Sequence, residues 1–237
     1  MSFGQIVSFF CYYLVQSLFL VVCIKFVKNM TKTKLTTLQC EILVGILLGD
    51  ASLQTESNGR TYRLRVLQSE EHKDYLFHLY DIFKNLTLSP PIRSEFVDPR
   101  KMGKKYFRWS FSTTQNACFR FYGHQFYDGK KKKVPKLIHK WLTPRSIAYW
   151  YMDDGAQKWK GKSLGVRFCT DSFLRKDVEL LAHLLCKKYY LKTSLQKKDD
   201  GWRIYISSFS YEILKKLIFL YLLPSMLYKF PEKITQV

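Results

Sequence analysis

The sequence lacks the short motifs of several common enzyme classes. It has no glycine-rich phosphate loop, no G-x-S-x-G elbow and no H-x-x-x-H pair. Its six cysteines form no C-x-x-C pair, and no histidine stands at metal-ligand spacing from any of them. A zinc site is therefore not expected, and scattered cysteines of this kind fit a reducing compartment.

Acidic residues are scarce relative to basic ones. The 237 residues include 39 Lys and Arg but only 19 Asp and Glu, which gives a formal net charge of +20. An excess of this size predicts an anionic partner, either nucleic acid or a membrane surface. Because 47% of the residues are hydrophobic, the chain has enough apolar side chains to form a core, and general disorder is not expected.

The first thirty residues differ from the rest. Residues 6–27 form a nearly continuous apolar run, long enough for a marginal membrane span. No positive charge precedes the run, and no small-residue cleavage site follows it, so it does not fit a signal peptide. We interpret residues 1–30 as a hydrophobic appendage outside the fold. It is either a membrane-associated leader or an extension read through from neighbouring coding sequence.

The remaining chain reads as two similar halves, residues 31–129 and 142–237, joined by a basic linker at 130–141. Each half begins with a helix, over residues 35–52 and 142–156. Thr36 with Gln39 predicts a capping box, and Thr143 followed by Pro144 predicts a helix start. The order helix–strand–strand–helix–strand–strand–helix in each half predicts an α+β fold, a pseudo-two-fold tandem repeat of αββαββα.

Three strands and two further helices can be placed in each half. The strands are predicted at 61–68, 92–98 and 105–112, and at 164–171, 193–199 and 202–208. The helices are predicted at 70–86 and 114–127, and at 175–190 and 210–222.

Several of these strands alternate between apolar and polar residues, which gives each sheet one buried face and one polar face. The polar positions are rich in Arg, Lys and Gln, which suit base edges in the major groove and backbone phosphates. For any one of these residues, plain solvent exposure is an equal alternative. The candidate DNA-binding residues are Arg63, Arg65, Arg93, Arg108, Arg167, Gln196, Lys198, Arg203 and Tyr205.

The helices that open the two halves carry related motifs, LVGILLGDA at 43–51 and IAYWYMDDG at 147–155. Asp50 and Asp154 occupy the same, eighth position of each. Gly45 and Gly49, four apart on one helix face, would let the second helix approach closely. One such motif usually marks only a helix end, but two in register resemble the motif of the LAGLIDADG homing endonuclease family. Tyr149 stands where that family usually has glycine. The helices must therefore pack more loosely there, or the structure around Tyr149 must accommodate its side chain.

Further segments are similar to single-chain, two-motif members of this family: LSPP (88–91), WLTP (141–144) and YKFP (228–231). The similarity covers roughly residues 38–234. It implies two antiparallel four-stranded sheets that form a DNA-binding saddle over the paired motif helices. It also implies a monomer that cuts a long, asymmetric site in double-stranded DNA and leaves staggered ends. Family members of this kind imply a mitochondrion, or another organelle that carries group I introns.

Phosphodiester hydrolysis needs an activated water and a stabilised leaving oxygen, and two metal ions across the phosphate supply both. Oxygen ligands suit Mg²⁺, and we expect Mn²⁺ to substitute. Asp50 and Asp154 are the predicted carboxylate ligands. The resemblance adds the backbone carbonyls of Gly49 and Asp153, with the Asp153 side chain ranked below that of Asp154.

The resemblance also implies active-site lysines. Lys229 in YKFP matches the lysine near the C-terminus of the family. Its counterpart in the first half is Lys132 or Lys133. Comparison with the family favours Lys132, whereas symmetry with Lys229 favours Lys133.

Two other functions remain open. The first is an RNA-binding intron maturase, with or without residual cleavage, because the family contains such proteins. The second is a membrane-tethered basic protein, suggested by the first thirty residues alone. The histidines have no repeated partner, so surface or core positions are expected for His72, His78, His124, His139 and His183.

Overall fold

A computed structural model describes residues 34–97, 103–199 and 201–232 of the chain. The predicted appendage, residues 1–30, lies outside the described residues, as do the first residues of the predicted first half. No helix in the described ranges is long and apolar enough to cross a bilayer.

The first half contains helix α1 (Thr37–Leu48), strands β1 (Ser52–Gln54) and β2 (Arg63–Ser69), and helix α2 (Lys73–Phe83). Strands β3 (Ile92–Val97) and β4 (Lys105–Ser112) and helix α3 (Arg120–Phe126) complete it. The strands pair antiparallel in the order β1-β2-β4-β3.

The second half repeats this order. It contains helix α5 (Pro144–Asp154), strands β7 (Gly155–Gln157) and β8 (Val166–Phe168), and helix α6 (Arg175–Tyr189). Strands β9 (Thr193–Lys198) and β10 (Gly201–Ile206) and helix α7 (Tyr211–Ile218) follow. Its sheet has the matching antiparallel order β7-β8-β10-β9, so the predicted tandem αββαββα repeat is confirmed.

The connection between the halves is folded, which the predicted linker at 130–141 did not anticipate. A two-strand hairpin joins β5 (Tyr127–Asp128) to β6 (Lys131–Lys132), with Gly129 at positive φ in its turn. A short helix, α4 (Ile138–Trp141), follows and leads into α5. The hairpin fixes the directions in which the lysine side chains of residues 130–133 point, and thereby which of them can reach the active site.

Both predicted helix starts are present. Thr36 and Gln39 form a reciprocal capping box, and Thr143 accepts a hydrogen bond from the Ser146 backbone with Pro144 at the first helical position. These caps satisfy amide groups that a helix start leaves without partners. They fix the residues at which α1 and α5 begin, and thereby the positions at which the two motif helices end.

Helices α1 and α5 pack against each other at the centre of the molecule, with almost all of α1 from Ile42 to Leu48 buried. A Cβ on Gly45 would lie 2.4 Å from the Ser146 carbonyl oxygen and 2.8 Å from Tyr149 Cβ. The close helix approach predicted from the glycine spacing is therefore present. Tyr149 is accommodated because Gly45 faces it without a side chain, and its hydroxyl lies 2.7 Å from His78 Nε2.

Candidate active site

The motif aspartates stand at adjacent ends of the two packed helices. Asp50 follows the Gly49 cap of α1, and Asp154 is the last residue of α5. The Asp50 backbone N–H donates to Asp153 Oδ2 at 3.1 Å, which ties the two helix ends together directly. Gly49 makes this contact possible, since a Cβ there would lie 2.4 Å from the Asp153 carboxylate.

Burial and the crowding of carboxylates shift the pKa values of the aspartates in this cluster. Burial, followed by the negative charge of Asp50, raises the pKa of Asp154, and Lys132 and Lys229 oppose the shift; the resulting pKa is about 7. Burial, followed by the charges of Asp50 and Asp154, also raises the pKa of Asp153. Negative charges held together at a half-buried position favour a bound cation.

Two lysines reach the helix ends in a matching way. Lys132 Nζ donates to the carbonyl oxygens of Gly49 and Ala51, both at 2.8 Å. Lys229 Nζ donates to the carbonyl of Asp153 at 2.7 Å and to that of Met152. Burial lowers the pKa of each lysine, and the nearby aspartates oppose that shift.

The structure brings Lys132, and not Lys133, to the motif helix. Lys132 lies on β6, and successive side chains of an extended chain point to opposite sides. Lys133 lies on the wall of a cavity of about 640 Å³ between the hairpin and α6, where Lys131, Lys136 and Lys176 also lie. Lys132 lines that cavity too, but its ammonium group points to Gly49.

The predicted metal ligands are the carboxylates of Asp50 and Asp154 and the carbonyls of Gly49 and Asp153. The two carboxylates stand at adjacent helix ends, close enough for the charge of Asp50 to raise the pKa of Asp154, and the two carbonyls accept hydrogen bonds from Lys132 and Lys229. Within the described ranges, no group of three or more His, Cys, Asp or Glu side chains is arranged to hold a metal ion by itself. Mg²⁺ fits such an open donor set because it keeps several waters and takes few carboxylates together with substrate phosphate.

Sequence reasoning missed two residues beside Asp50. Gln68, near the end of β2, donates from Nε2 to Asp50 Oδ2 at 3.1 Å and to Asp153 Oδ1 at 3.4 Å. His72 lies next to Gln68, with Nδ1 at 3.2 Å from the amide oxygen. One signal in the sequence could have pointed to Gln68, namely its position on β2. This strand pairs with β1, and β1 follows shortly after Asp50.

The polar sheet face holds eight of the nine candidate DNA-binding residues. Strand register places Arg65 beside Ser52 and Ser112 in the first sheet, and Arg167 beside Ala156 and Tyr205 in the second. By alternation along the strands, the residues on these faces are Arg63, Arg65 and Arg108, and Arg167, Gln196, Lys198, Arg203 and Tyr205.

Arg93 is the exception, because the strand register places it on the opposite face of the sheet. It pairs with Trp109, whose neighbour Gln68 is buried on the helix side of the sheet. Its guanidinium binds Glu70 at 2.8 Å and lies over the Phe107 ring. Three of the remaining arginines are engaged within the chain: Arg203 with Asp171, Arg63 with Glu56, and Arg108 with Ser94.

The model of the LAGLIDADG DNA endonuclease family matches residues 40–214, a span that contains both motifs, both sheets and the hairpin lysine. The chain belongs to the LAGLIDADG DNA endonuclease family. This confirms the family resemblance and explains why two short motifs, each weak alone, occur in register.

Individual family members align over nearly the whole fold. DNA endonuclease I-ChuI of Chlamydomonas applanata is 37% identical, over 82% of this chain and 95% of its own length. Cytochrome b mRNA maturase bI2 of Debaryomyces hansenii is 32% identical, over 80% of this chain and 72% of its own. The solved structure of the homing endonuclease I-WcaI bound to its DNA recognition sequence superposes with a TM-score of 0.82 at 28% identity, covering 88% of this chain and 93% of that one.

Proposed function

We propose that this chain is a site-specific endonuclease that hydrolyses one phosphodiester bond in each strand of double-stranded DNA and leaves staggered ends. The observation that carries the proposal is the position of Asp50 and Asp154, from the two halves, at adjacent ends of one tightly packed helix pair, where the Asp50 backbone binds Asp153 and the Asp50 charge raises the pKa of Asp154. The relatives named as DNA endonucleases support the same activity.

The two sheets would bind the DNA. Their polar faces carry arginines and lysines for phosphates, with forked donors for base edges. Arg167 Nε is buried without a hydrogen-bond partner among the described residues, and a DNA acceptor would satisfy it. We propose that residues 31–129 and 142–237 each contact one half of the site. Because the two faces differ in sequence, one monomer would read an asymmetric target.

Asp50 and Asp154 would hold divalent metal ions, with the Gly49 and Asp153 carbonyls beside them. We propose Mg²⁺ as the natural ion, with Mn²⁺ able to replace it. The chemistry supplied by such an ion is a lowered water pKa and neutralised charge on the phosphate. Lys132 and Lys229 hold positive charge at the same helix ends, where it would stabilise negative charge that develops on the phosphate.

The test uses the full chain and a supercoiled plasmid. The plasmid carries the host gene of this reading frame, without the intron that would contain the reading frame. With Mg²⁺, the wild-type chain should nick and then linearise this plasmid at one place. Asp50→Asn and Asp154→Asn should each lose cleavage by at least about 10³-fold, comparable with removal of a main electrostatic group. Both should still shift the DNA in a gel, because the sheet faces are untouched.

Asp81→Asn is the matched control, since Asp81 lies on the surface and contacts only Lys84 among the ion pairs of the described chain. It should cleave like the wild type. Full activity of either motif variant would contradict the assignment of the carboxylates.

A maturase role is the second candidate, favoured by the Debaryomyces hansenii relative named as a cytochrome b mRNA maturase. It predicts tight binding of the surrounding intron RNA and faster splicing of that RNA in vitro. Either role would place the protein in the organelle that carries the intron, and we propose the mitochondrion. A chain that cuts DNA but does not change the splicing rate would leave the endonuclease role alone.

A further inference from the structure

A chain of hydrogen bonds runs from the C-terminal segment of the second half to the aspartate of the first. The Tyr228 hydroxyl lies 2.7 Å from His72 Nε2. His72 Nδ1 lies 3.2 Å from Gln68 Oε1, and Gln68 Nε2 lies 3.1 Å from Asp50 Oδ2. The Tyr228 and His72 rings also stack, with centroids 6.3 Å apart.

The donor and acceptor roles along this chain follow from its Asp50 end. A carboxylate only accepts, so the Gln68 NH₂ group must face Asp50 and its amide oxygen must face His72. His72 Nδ1 must then carry a proton and donate it to that oxygen. Burial lowers the pKa of His72, which favours the neutral ring, and a neutral ring leaves Nε2 as the acceptor for the Tyr228 hydroxyl.

We propose that His72, held by Tyr228, is a positioning residue that fixes the Gln68 amide toward Asp50 and thereby sets the cleavage rate of one DNA strand. This inference rests on the proposed endonuclease function. Without the His72 donor, the Gln68 amide oxygen would lose its partner, and the side chain would be free to leave the position in which its NH₂ group reaches Asp50.

The second half has no equivalent of this arrangement at the matching position. Gln68 follows Arg65 by three residues, as Thr170 follows Arg167, and these two arginines occupy matching places in their sheets. Thr170 is fully buried and donates to the Trp202 carbonyl at 2.6 Å. No amide stands there to contact Asp154, so the two halves of the site are unequal.

The position of Tyr228 strengthens the link between the halves. It directly precedes Lys229, whose ammonium binds the Asp153 carbonyl, and its own carbonyl accepts from Gln157 Nε2 at 2.9 Å. The Tyr228–His72 contact therefore joins the segment that carries Lys229 to the first half. Loss of this contact would disturb the Asp50 side of the site more than the sheet faces.

Two substitutions of His72 test the roles of its two ring nitrogens separately. In His72→Asn the side-chain NH₂ occupies the place of Nδ1 and can still donate to Gln68. In His72→Gln it reaches the place of Nε2 instead, and the contact with Gln68 is lost. Loss of a group that orients a catalytic residue typically lowers activity about 10- to 100-fold.

The experiment measures nicking of each strand separately, on a duplex labelled at both 5′ ends and containing the cleavage site. His72→Gln should nick one strand about 10- to 100-fold more slowly and leave the other strand close to the wild-type rate. His72→Asn should recover most of the lost rate. Tyr228→Phe, like His72→Asn, keeps a donor to Gln68 and loses only the Tyr228–His72 hydrogen bond, so it should slow the same strand less than His72→Gln does. The half-saturating DNA concentration should be unchanged in all three variants, and His183→Ala, on the exposed side of α6, is the histidine control.

Equal slowing of both strands, or equal rates in His72→Asn and His72→Gln, would overturn the positioning role while the endonuclease function stands. A wild-type chain that nicks neither strand would refute the proposed function, and the inference with it.

Discussion

Replacing Gly45 by alanine tests the idea that contact between the motif helices sets the active site. An alanine in the middle of a helix is intrinsically favourable over glycine, by about 1 kcal/mol. Here, however, the new methyl group would meet the Ser146 carbonyl oxygen at 2.4 Å and Tyr149 Cβ at 2.8 Å. The first of these atoms is backbone, so only movement of a helix can relieve the clash.

Overpacking of this kind costs about 1–3 kcal/mol. After the helix gain is subtracted, we expect Gly45→Ala to lower the free energy of unfolding by up to about 2 kcal/mol. For a domain of this size that corresponds to a fall in Tm of up to roughly 8 °C. The helices must part by a fraction of an ångström at least. Since misplacement by about 1 Å can cost about 10²-fold in rate, cleavage should fall more steeply than stability.

Thermal unfolding followed by circular dichroism, together with plasmid nicking well below the Tm of the variant, measures both effects. Leu38→Ala, at an exposed position on the same helix, is the control and should change the free energy of unfolding by less than about 0.5 kcal/mol. A Gly45→Ala protein that melts at or above the wild-type temperature and cleaves at the full rate would refute the reasoning, because the helix pair would then have room to spare.

Other predictions concern the lysines, the sheet faces and the N-terminal residues. Lys132→Met should slow nicking strongly while Lys133→Met leaves it near the wild-type rate, as judged by single-turnover kinetics; the reverse order would mean that the hairpin register is misassigned. Arg65→Ala should weaken DNA binding and reduce the salt dependence of affinity by about one phosphate contact, whereas Arg93→Ala should leave both unchanged in a fluorescence titration. Deletion of residues 1–30 should leave the melting temperature and nicking rate intact, and an unfolded truncation product would show that these residues belong to the fold.

The sequence predicted the long, regular elements well because they carry strong local signals. The capping residues Thr36 and Thr143 mark helix starts by chemistry that needs no tertiary context. Strand β4 was placed at its observed bounds, 105–112. By contrast, β1 and β7 have three residues each, too few to show an alternation, so the repeat pattern required them but could not locate them.

The site residues divide in a similar way. Asp50 and Asp154 were found because the motif occurs twice, and a search for repeats finds whatever is symmetric. Gln68 and His72 have no counterpart across the repeat, so the same search passed over them. The sequence could not show which face Arg93 occupies, because β3 is exposed along most of its length, and exposure on both sides removes the alternation that reveals a face.

The unlike pairing of the motif helices restricts what this chain can assemble with. Gly45 faces Tyr149, and Gly49 faces Asp153, so in both places a missing side chain in one helix makes room for a large or charged one in the other. Two copies of the second half, joined in the same manner, would bring tyrosine against tyrosine and aspartate against aspartate. Such a homodimer would be blocked by steric overlap and by charge repulsion. The two halves are therefore complementary parts, and the second half cannot pair with itself in this manner.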